Sequence, residues 1–250
     1  MADALLETKG LIKRFGGLVA TDHLSIEVRA GEIHALIGPN GAGKTTLVGQ
    51  ITGNTVPDSG TVRFAGRDIT RLPTHARVQL GLGRSFQITS VLREFSALAN
   101  VALAIQAHRG HSFRFLADMR KDRRLHEAAQ QGLAAVGLAS RAGVRASALS
   151  HGEQRQLEIA MALAGQPKLL LLDEPMAGMG AEESQRLVAF LQGLRSRCGM
   201  LLIEHDMDAV FALADRITVL VYGRAIFSGT PQEVRAHPEV RQAYLGEDTA

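Results

Sequence analysis

The sequence predicts an α/β chain built around a mostly parallel sheet, and three observations carry that expectation. Short apolar runs alternate with helical patterns, as expected of a sheet whose strands are buried on both faces. One of those runs ends directly in a glycine-rich loop with a helical segment behind it. The stretch from about 88 to 165 shows helical periodicity and no strand pattern, so it reads as a helical insertion.

Taken in order, Leu5–Lys13, Leu18–Val28 and Thr61–Phe64 read as strands, the second interrupted by polar residues at Thr21–His23. Ile33–Ile37 is apolar and stops at a glycine, as a buried strand does. Gly43–Ile51 follows as a helix. Pro73 suits the first turn of another, which ends near Gly81. Residues 96–107 and 120–138 are alanine-rich and helical. Lys168–Leu172 is a second buried strand, and a helix follows over Ala181–Arg197. Met200–Ile203 and Arg216–Val221 are further strands with a helix between them, and Pro231 opens a short last helix. The sequence contains no internal repeat or low-complexity tract.

Composition excludes several classes. With 250 residues, 46% of them hydrophobic and 21% charged, the chain can bury a sizeable core and is neither disordered nor fibrous. No apolar run approaches the ~18–20 residues of a membrane-crossing helix. The first ten residues carry Asp3 and Glu7 and lack the basic-then-apolar order of a signal peptide, which points to the cytosol. Cys198 stands alone, so an internal disulfide and a cysteine-based metal site are excluded. The net charge of +3 says little, but its distribution is uneven. Between 109 and 124, Arg109, Arg114, Arg120, Lys121, Arg123 and Arg124 face only Asp118 and Asp122. This segment, which also holds Phe113 and Phe115, reads as a solvated helical face or as a contact for a partner or anionic lipid headgroups. A nucleic-acid binder would spread its basic residues over a face, and no nucleic-acid partner is expected.

Gly38, Pro39, Asn40, Gly41, Ala42, Gly43, Lys44 and Thr45 fit the phosphate-loop pattern G-x-x-x-x-G-K-[ST] in full, and Thr46 follows. The glycines let the backbone turn tightly and bring N–H groups onto phosphate oxygens. The helix N-terminus adds a partial positive charge of about +0.5. Lys44 suits the β- and γ-phosphates, and the Thr45 hydroxyl suits Mg²⁺. These residues therefore point to a nucleoside triphosphate, without saying what its energy drives.

The strand at Leu169–Leu172 ends in Asp173 and Glu174, and open α/β sheets bind ligands beyond the carboxyl ends of their strands. Asp173 is placed to support Mg²⁺. On an extended chain its neighbour points to the other side, which leaves Glu174 to polarise the water that attacks the γ-phosphate. Ser150 and Glu153 have capping-box spacing ahead of an amphipathic run at Leu157, Ala160, Met161 and Ala164. Ser150 and Gly152 also make an anion site, a hydroxyl beside unobstructed backbone N–H groups. One phosphate group hardly needs two cradles from one chain, so the second makes sense if it closes over a nucleotide held by another copy.

At this point the chain resembles the ATP-binding subunits of ABC transporters over nearly its whole length. The ordered motifs are Gly38–Thr45 (Walker A), Gln87 (Q-loop), Leu149–Glu153 (signature), Leu169–Glu174 (Walker B) and His205 (switch histidine), with Phe15 where the family stacks a ring on adenine. The resemblance implies a P-loop NTPase (RecA-like) core with an N-terminal antiparallel β subdomain and a helical insertion. That makes one ATPase domain over 1–250, with core and β subdomain at approximately 1–87 and 166–250 and the signature-bearing helical subdomain at approximately 88–165.

It also implies a head-to-tail dimer binding ATP and Mg²⁺. Each nucleotide lies between Walker A of one subunit and Ser150, Gly152 and Glu153 of the other. His205 contacts the γ-phosphate, while Gln87 senses the metal or the attacking water and couples to a membrane domain. Thr45, Asp173 and Gln87 are the implied metal residues. The implied partners are an identical or different second ATPase, transmembrane permease subunits and, indirectly, a periplasmic solute-binding protein, which puts the chain on the cytoplasmic face of the inner membrane.

Three positions depart from the family pattern. His151 stands where the signature has glycine, Glu153 replaces the common glutamine, and Met176–Gly180 lacks the usual aspartate, which puts cross-talk between the two sites through that residue in doubt. A narrower resemblance, to the ATPases of branched-chain amino acid importers, rests on Gly83–Gln87, Phe95–Val101 and Tyr244–Asp248. Urea, short amides and lipopolysaccharide export are the alternatives within the family. A soluble nucleic-acid-linked ATPase would usually carry coiled coils or two cassettes. A nucleotide sensor without turnover has no use for both Glu174 and His205, and a P-loop kinase leaves Leu149–Glu153 and His205 without roles.

Overall fold

In a computed structural model the chain is described over residues 4–84, 91–108 and 122–242. Gln87, Tyr244–Asp248 and the basic segment up to Lys121 lie outside the described residues. The strands form two sheets. The first is antiparallel, with β1 (Ala4–Phe15), β2 (Leu18–Arg29), β4 (Ser59–Phe64) and β5 (Arg67–Asp68) in the order β2-β1-β4-β5. The polar interruption in β2 does not break the strand. Irregular pairing with β1 around Leu11–Arg14 takes it up, and His23 turns to a φ of 51°.

The second sheet has six strands in the order β10-β9-β3-β8-β7-β6. They are β3 (Ile33–Ile37), β6 (Leu82–Arg84), β7 (Leu169–Asp173), β8 (Gly199–Ile203), β9 (Arg216–Val221) and β10 (Arg224–Gly229). All its pairs are parallel except β9–β10, which is joined by a turn with positive φ at Tyr222 and Gly223. The expected mostly parallel sheet, antiparallel N-terminal sheet and helical stretch are thus present.

Alternation along the central strands decides what packs where. Leu170, Leu172, Met200 and Leu202 face the helical stretch, against Val101 of α3 (Ala97–His108), Leu133 of α4 (Arg123–Ala135), Leu157 of α5 (His151–Leu163) and Leu187 of α6 (Ala181–Leu194). Leu169, Leu171, Leu201 and Ile203 face the other way, against Leu47 and Ile51 of α1 (Lys44–Thr52) and Leu11 and Val28 of the first sheet. Each fully buried leucine contributes about 1.5–3 kcal/mol, so neither face tolerates a polar substitution. Val210 of α7 (Met207–Leu213) and Val234 of α8 (Pro231–Ala236) cover Ala35 and Ile217 in a third cluster, which also holds Val240 of α9 (Pro238–Val240). Among the described residues no helix is long and apolar enough to cross a membrane.

Three differences from the sequence expectations have local causes. Pro73 is not in the first helical turn. It stands before α2 (Thr74–Gln79) at a ψ of 156°, as the extended cap residue. The helix expected to reach Arg197 stops at Leu194, where Arg197 and Cys198 both donate N–H groups to the Leu194 carbonyl. The short strands β5, β6 and β10 were not expected, since their residues lack an apolar or alternating signal of their own.

Arg77 on α2 is buried and fixes the rear of α1. Its guanidinium donates to the carbonyls of Gln50 and Ile51 at 2.7 Å each, of Leu72 at 2.8 Å and of Thr70 at 2.9 Å. Two of these satisfy carbonyls in the last turn of α1, where a cation also meets the negative end of the helix dipole.

Candidate functional site

Three loops leave the carboxyl ends of the parallel strands on one edge of the sheet. The phosphate loop leaves β3, the acidic pair leaves β7, and His205 follows β8, which lies between them. In the phosphate loop, Gly38 has a φ of 150° and Gly43 a φ of 102°. A Cβ on Gly38 would stand 2.1 Å from the Leu220 carbonyl oxygen, and one on Gly43 would stand 2.2 Å from that of Ala20. At Gly41 (φ 79°) a Cβ would meet nothing within 4 Å. The loop is thus pressed into β9 and β2 on its inner side and open at its tip, as a cradle for a group outside the chain must be. Gly43 caps α1 with no side chain, so Lys44 opens the helix with its N–H groups directed outward.

The Lys44 ammonium donates to the carbonyls of Gly38 and Pro39 across the loop. Burial pushes its pKa down from the ordinary lysine value, while Glu174 and Asp173 pull it the other way. A partly desolvated cation with carboxylates near but none paired to it among the described residues favours an incoming anion. Thr45 is exposed beside it, Thr46 is half-buried, and Pro39, Asn40 and Ala42 complete the loop.

Asp173 is buried, and burial raises its pKa against the opposing pull of Arg84, whose Nη2 is 3.4 Å from Oδ2. Glu174 differs from the sequence expectation of simple alternation. It leaves the strand at a φ of 48°, a left-handed turn, and its N–H donates to the Ile203 carbonyl at 2.8 Å. That turn brings its Oε1 to 3.8 Å from His205 Nδ1. The His205 ring is largely exposed, so the pair borders open space. No group of three or more His, Cys, Asp or Glu residues among the described residues forms a metal cage. The available oxygens, the Thr45 hydroxyl and the Asp173 carboxylate, fit a divalent ion that arrives with phosphate ligands of its own.

Ser150 caps α5 as the sequence indicated. Its Oγ accepts the Glu153 N–H at 3.2 Å, and Glu153 Oε2 accepts the Ser150 N–H at 2.8 Å. Arg141 Nε lies 2.7 Å from Glu153 Oε1 and holds that carboxylate in place. The Ser150 hydroxyl proton has no acceptor among the described residues, so it can serve an external anion. Gly152 is buried beneath Glu183, whose carboxylate oxygens lie 3.0 Å from where a Cβ would be, so a larger residue would require the Glu183 side chain to shift. No hydrogen bond or ion pair among the described residues joins 149–153 to 38–46. Phe15 sits at the β1–β2 turn, 52% exposed, with Lys13 Nζ 5.5 Å from its ring centre.

Glu204, Arg84 and Glu183 touch the site and were not singled out from sequence. Glu204 did leave a signal, since it too is a carboxylate at the end of an apolar strand. The other two depend on tertiary contacts.

Comparison with known proteins agrees with this geometry. A family model described as ABC transporter matches residues 21–177, and one described as branched-chain amino acid ATP-binding cassette transporter matches residues 226–250. The chain is 39% identical over 256 residues to the high-affinity branched-chain amino acid transport ATP-binding protein BraF of Pseudomonas aeruginosa, covering 99% of this chain and 100% of that one. It is 38% identical over 259 residues to LivG of Escherichia coli K12, a protein of the same description, with the same coverage. Among solved structures, the ADP conformation of an ATP-binding cassette of an ABC transporter superposes with a TM-score of 0.87 at 31% identity, covering 98% of this chain and 99% of that one.

Proposed function

The chain belongs to the ABC transporter ATP-binding family and has its P-loop NTPase fold and nucleotide-binding ATPase role, and on that premise we propose what it powers and which residues do the work. It is the ATP-hydrolysing subunit of an importer for branched-chain amino acids, acting as a head-to-tail dimer with an identical or different ATPase. It sits on the cytoplasmic face of the inner membrane against permease subunits served by a periplasmic binding protein. The whole chain is one ATPase domain, with the helical part near 88–165 carrying the signature.

The observation that supports the shared site most directly is the pair of separate anion cradles, the loop 38–46 and the Ser150 cap, which no hydrogen bond or ion pair joins among the described residues. In the dimer each nucleotide lies between the first cradle of one copy and Ser150, Gly152 and Glu153 of the other. Phe15 stacks on the adenine. Backbone N–H groups of Gly41–Thr46 and the Lys44 ammonium bind the phosphates. Thr45 and Asp173 would hold Mg²⁺ and Gln87 would sense it, and that ion would supply charge neutralisation of the nucleotide's phosphates. Glu174 takes a proton from the attacking water, and His205 donates to the γ-phosphate, its ring kept in reach by the left-handed turn at Glu174. Burial of Asp173 keeps water from competing for its oxygens, and Arg84 holds it in place.

The test is transport by the complex with its membrane subunits in liposomes. ATP-driven uptake of leucine, isoleucine or valine that depends on the binding protein is expected. Uptake of urea or a short amide in its place would overturn the substrate assignment.

A further inference from the structure

Glu204 directly follows β8, and its side chain is fully buried. Its Oε1 accepts the Met176 N–H at 2.9 Å, while Oε2 accepts the N–H groups of His205 at 2.9 Å and Asp206 at 3.3 Å. No lysine or arginine lies within ion-pair reach of it among the described residues, and the nearest cationic candidate is His205 itself, with Nδ1 at 3.7 Å. A buried carboxylate is unfavourable unless hydrogen-bonded. Here the compensation comes from main-chain N–H groups of two different loops, and an apolar side chain would meet a purely structural need with less desolvation.

Those two loops leave neighbouring parallel strands in register, with Asp173 opposite Ile203. One begins with Glu174 at a φ of 48°, turns through Ala177 N–H to the Glu174 carbonyl at 3.1 Å, and leads into Met176–Gly180. The other presents His205. We propose that Glu204 is a positioning residue for ATP hydrolysis, clamping the loop behind Glu174 to the loop that carries His205 so that the two groups keep one relative geometry. The inference rests on the roles assigned above to Glu174 and His205. Through Met176–Gly180 the same clamp reaches Glu183, which accepts the Gly180 N–H at 3.4 Å and lies against Gly152, so the signature helix is referred to the same frame.

The experiment is steady-state phosphate release by Glu204→Gln as a function of ATP concentration. The amide keeps the size of the side chain but turns one acceptor oxygen into a donor, so at least one loop loses its clamp. The expected result is a kcat lower by about tenfold or more, as small displacements of reacting groups produce, with KM for ATP within about twofold of the parent because no phosphate contact is removed. Glu204→Asp, one methylene short, gives the answer if the glutamine variant does not fold, and its kcat falls between the two. Thr230→Ala, which removes the cap of the remote helix α8, lowers the melting temperature and leaves kcat at the parent value.

Because Glu204 acts through its neighbour, His205→Ala combined with Glu204→Gln should be no slower than His205→Ala alone. Parent kcat in Glu204→Gln, or losses that multiply in the double variant, would overturn the proposal. If His205→Ala and Glu174→Gln themselves kept parent turnover, the site assignment would fail. If both lost it while Glu204→Gln did not, the Glu204 proposal alone would fail.

Discussion

Ser150 caps α5 and is proposed to bind a phosphate, and different substitutions separate the two roles. As a cap, its Oγ receives one N–H, from Glu153, at the long distance of 3.2 Å. The reciprocal bond, from the Ser150 N–H to Glu153 at 2.8 Å, uses the backbone and survives any substitution except proline. Ser150→Ala therefore removes a single cap bond worth about 1 kcal/mol, with α5 otherwise intact. In a domain of this size that is a melting shift of about 2–4 °C. If the hydroxyl also donates to the γ-phosphate held by another copy, the same change removes a charge-assisted bond of about 1.5–3 kcal/mol, or roughly 10–150-fold in turnover.

Ser150→Asp sharpens the test. Aspartate is as good a cap and suits the positive end of the helix, so the melting temperature holds or rises. Yet it sets a negative charge where a phosphate must sit, and turnover is abolished. Thermal unfolding paired with a phosphate-release assay at saturating ATP reads both effects. An active Ser150→Asp variant, or a Ser150→Ala variant whose activity loss only tracks its unfolding, would reduce Ser150 to a helix cap and refute the reasoning.

Further predictions follow from the other cradle and from the core. Glu174→Gln keeps ATP binding and accumulates a nucleotide-bound dimer in size-exclusion chromatography, with phosphate release lost; parent-rate hydrolysis would remove Glu174 from its role. Lys44→Ala loses ATP affinity in calorimetry, and unchanged binding would contradict the cradle. His34 on β3 is buried between the Glu27 carbonyl, 2.9 Å from Nδ1, and the Thr218 hydroxyl, 2.7 Å from Nε2. Burial pushes its pKa down to about 4, with Arg216 adding to the effect and Glu32 and Glu27 opposing it. Because the unfolded chain binds this proton near pH 6.5 and the folded chain does not, the His34 contribution is complete above about pH 6.5 and is lost as pH falls towards 4, by up to about 3 kcal/mol. Urea unfolding between pH 7 and 4.5 should therefore show a steeper acid loss in the parent than in His34→Gln; equal slopes would exclude His34 as the cause.

Much of the site was legible because the motifs sit where periodicity ends. Leu169–Leu172 is apolar at every position and Ile33–Ile37 at all but His34, so their strands and the loops beyond them could be read directly. The capping box at Ser150 and Glu153 was read from spacing and is present. What escaped depends on partners far away in the chain. Leu82–Arg84 becomes a strand only because β7 lends its edge, and Arg224–Gly229 only because the Tyr222–Gly223 turn folds it onto β9. Alternation misplaced Glu174, since the left-handed residue that turns it towards His205 answers to the neighbouring Ile203 carbonyl and not to its own strand. Nothing local in the sequence signals that Arg77 closes the far end of the phosphate-loop helix.

The central claim is that two copies complete each nucleotide site, and the dependence of turnover on protein concentration tests it most directly. Phosphate release per chain should climb steeply from nanomolar to micromolar protein and level off as the dimer fills. A dilute, strictly monomeric preparation that hydrolyses ATP as fast per chain as a concentrated one, and does so equally well with Ser150 replaced by alanine, would contradict it.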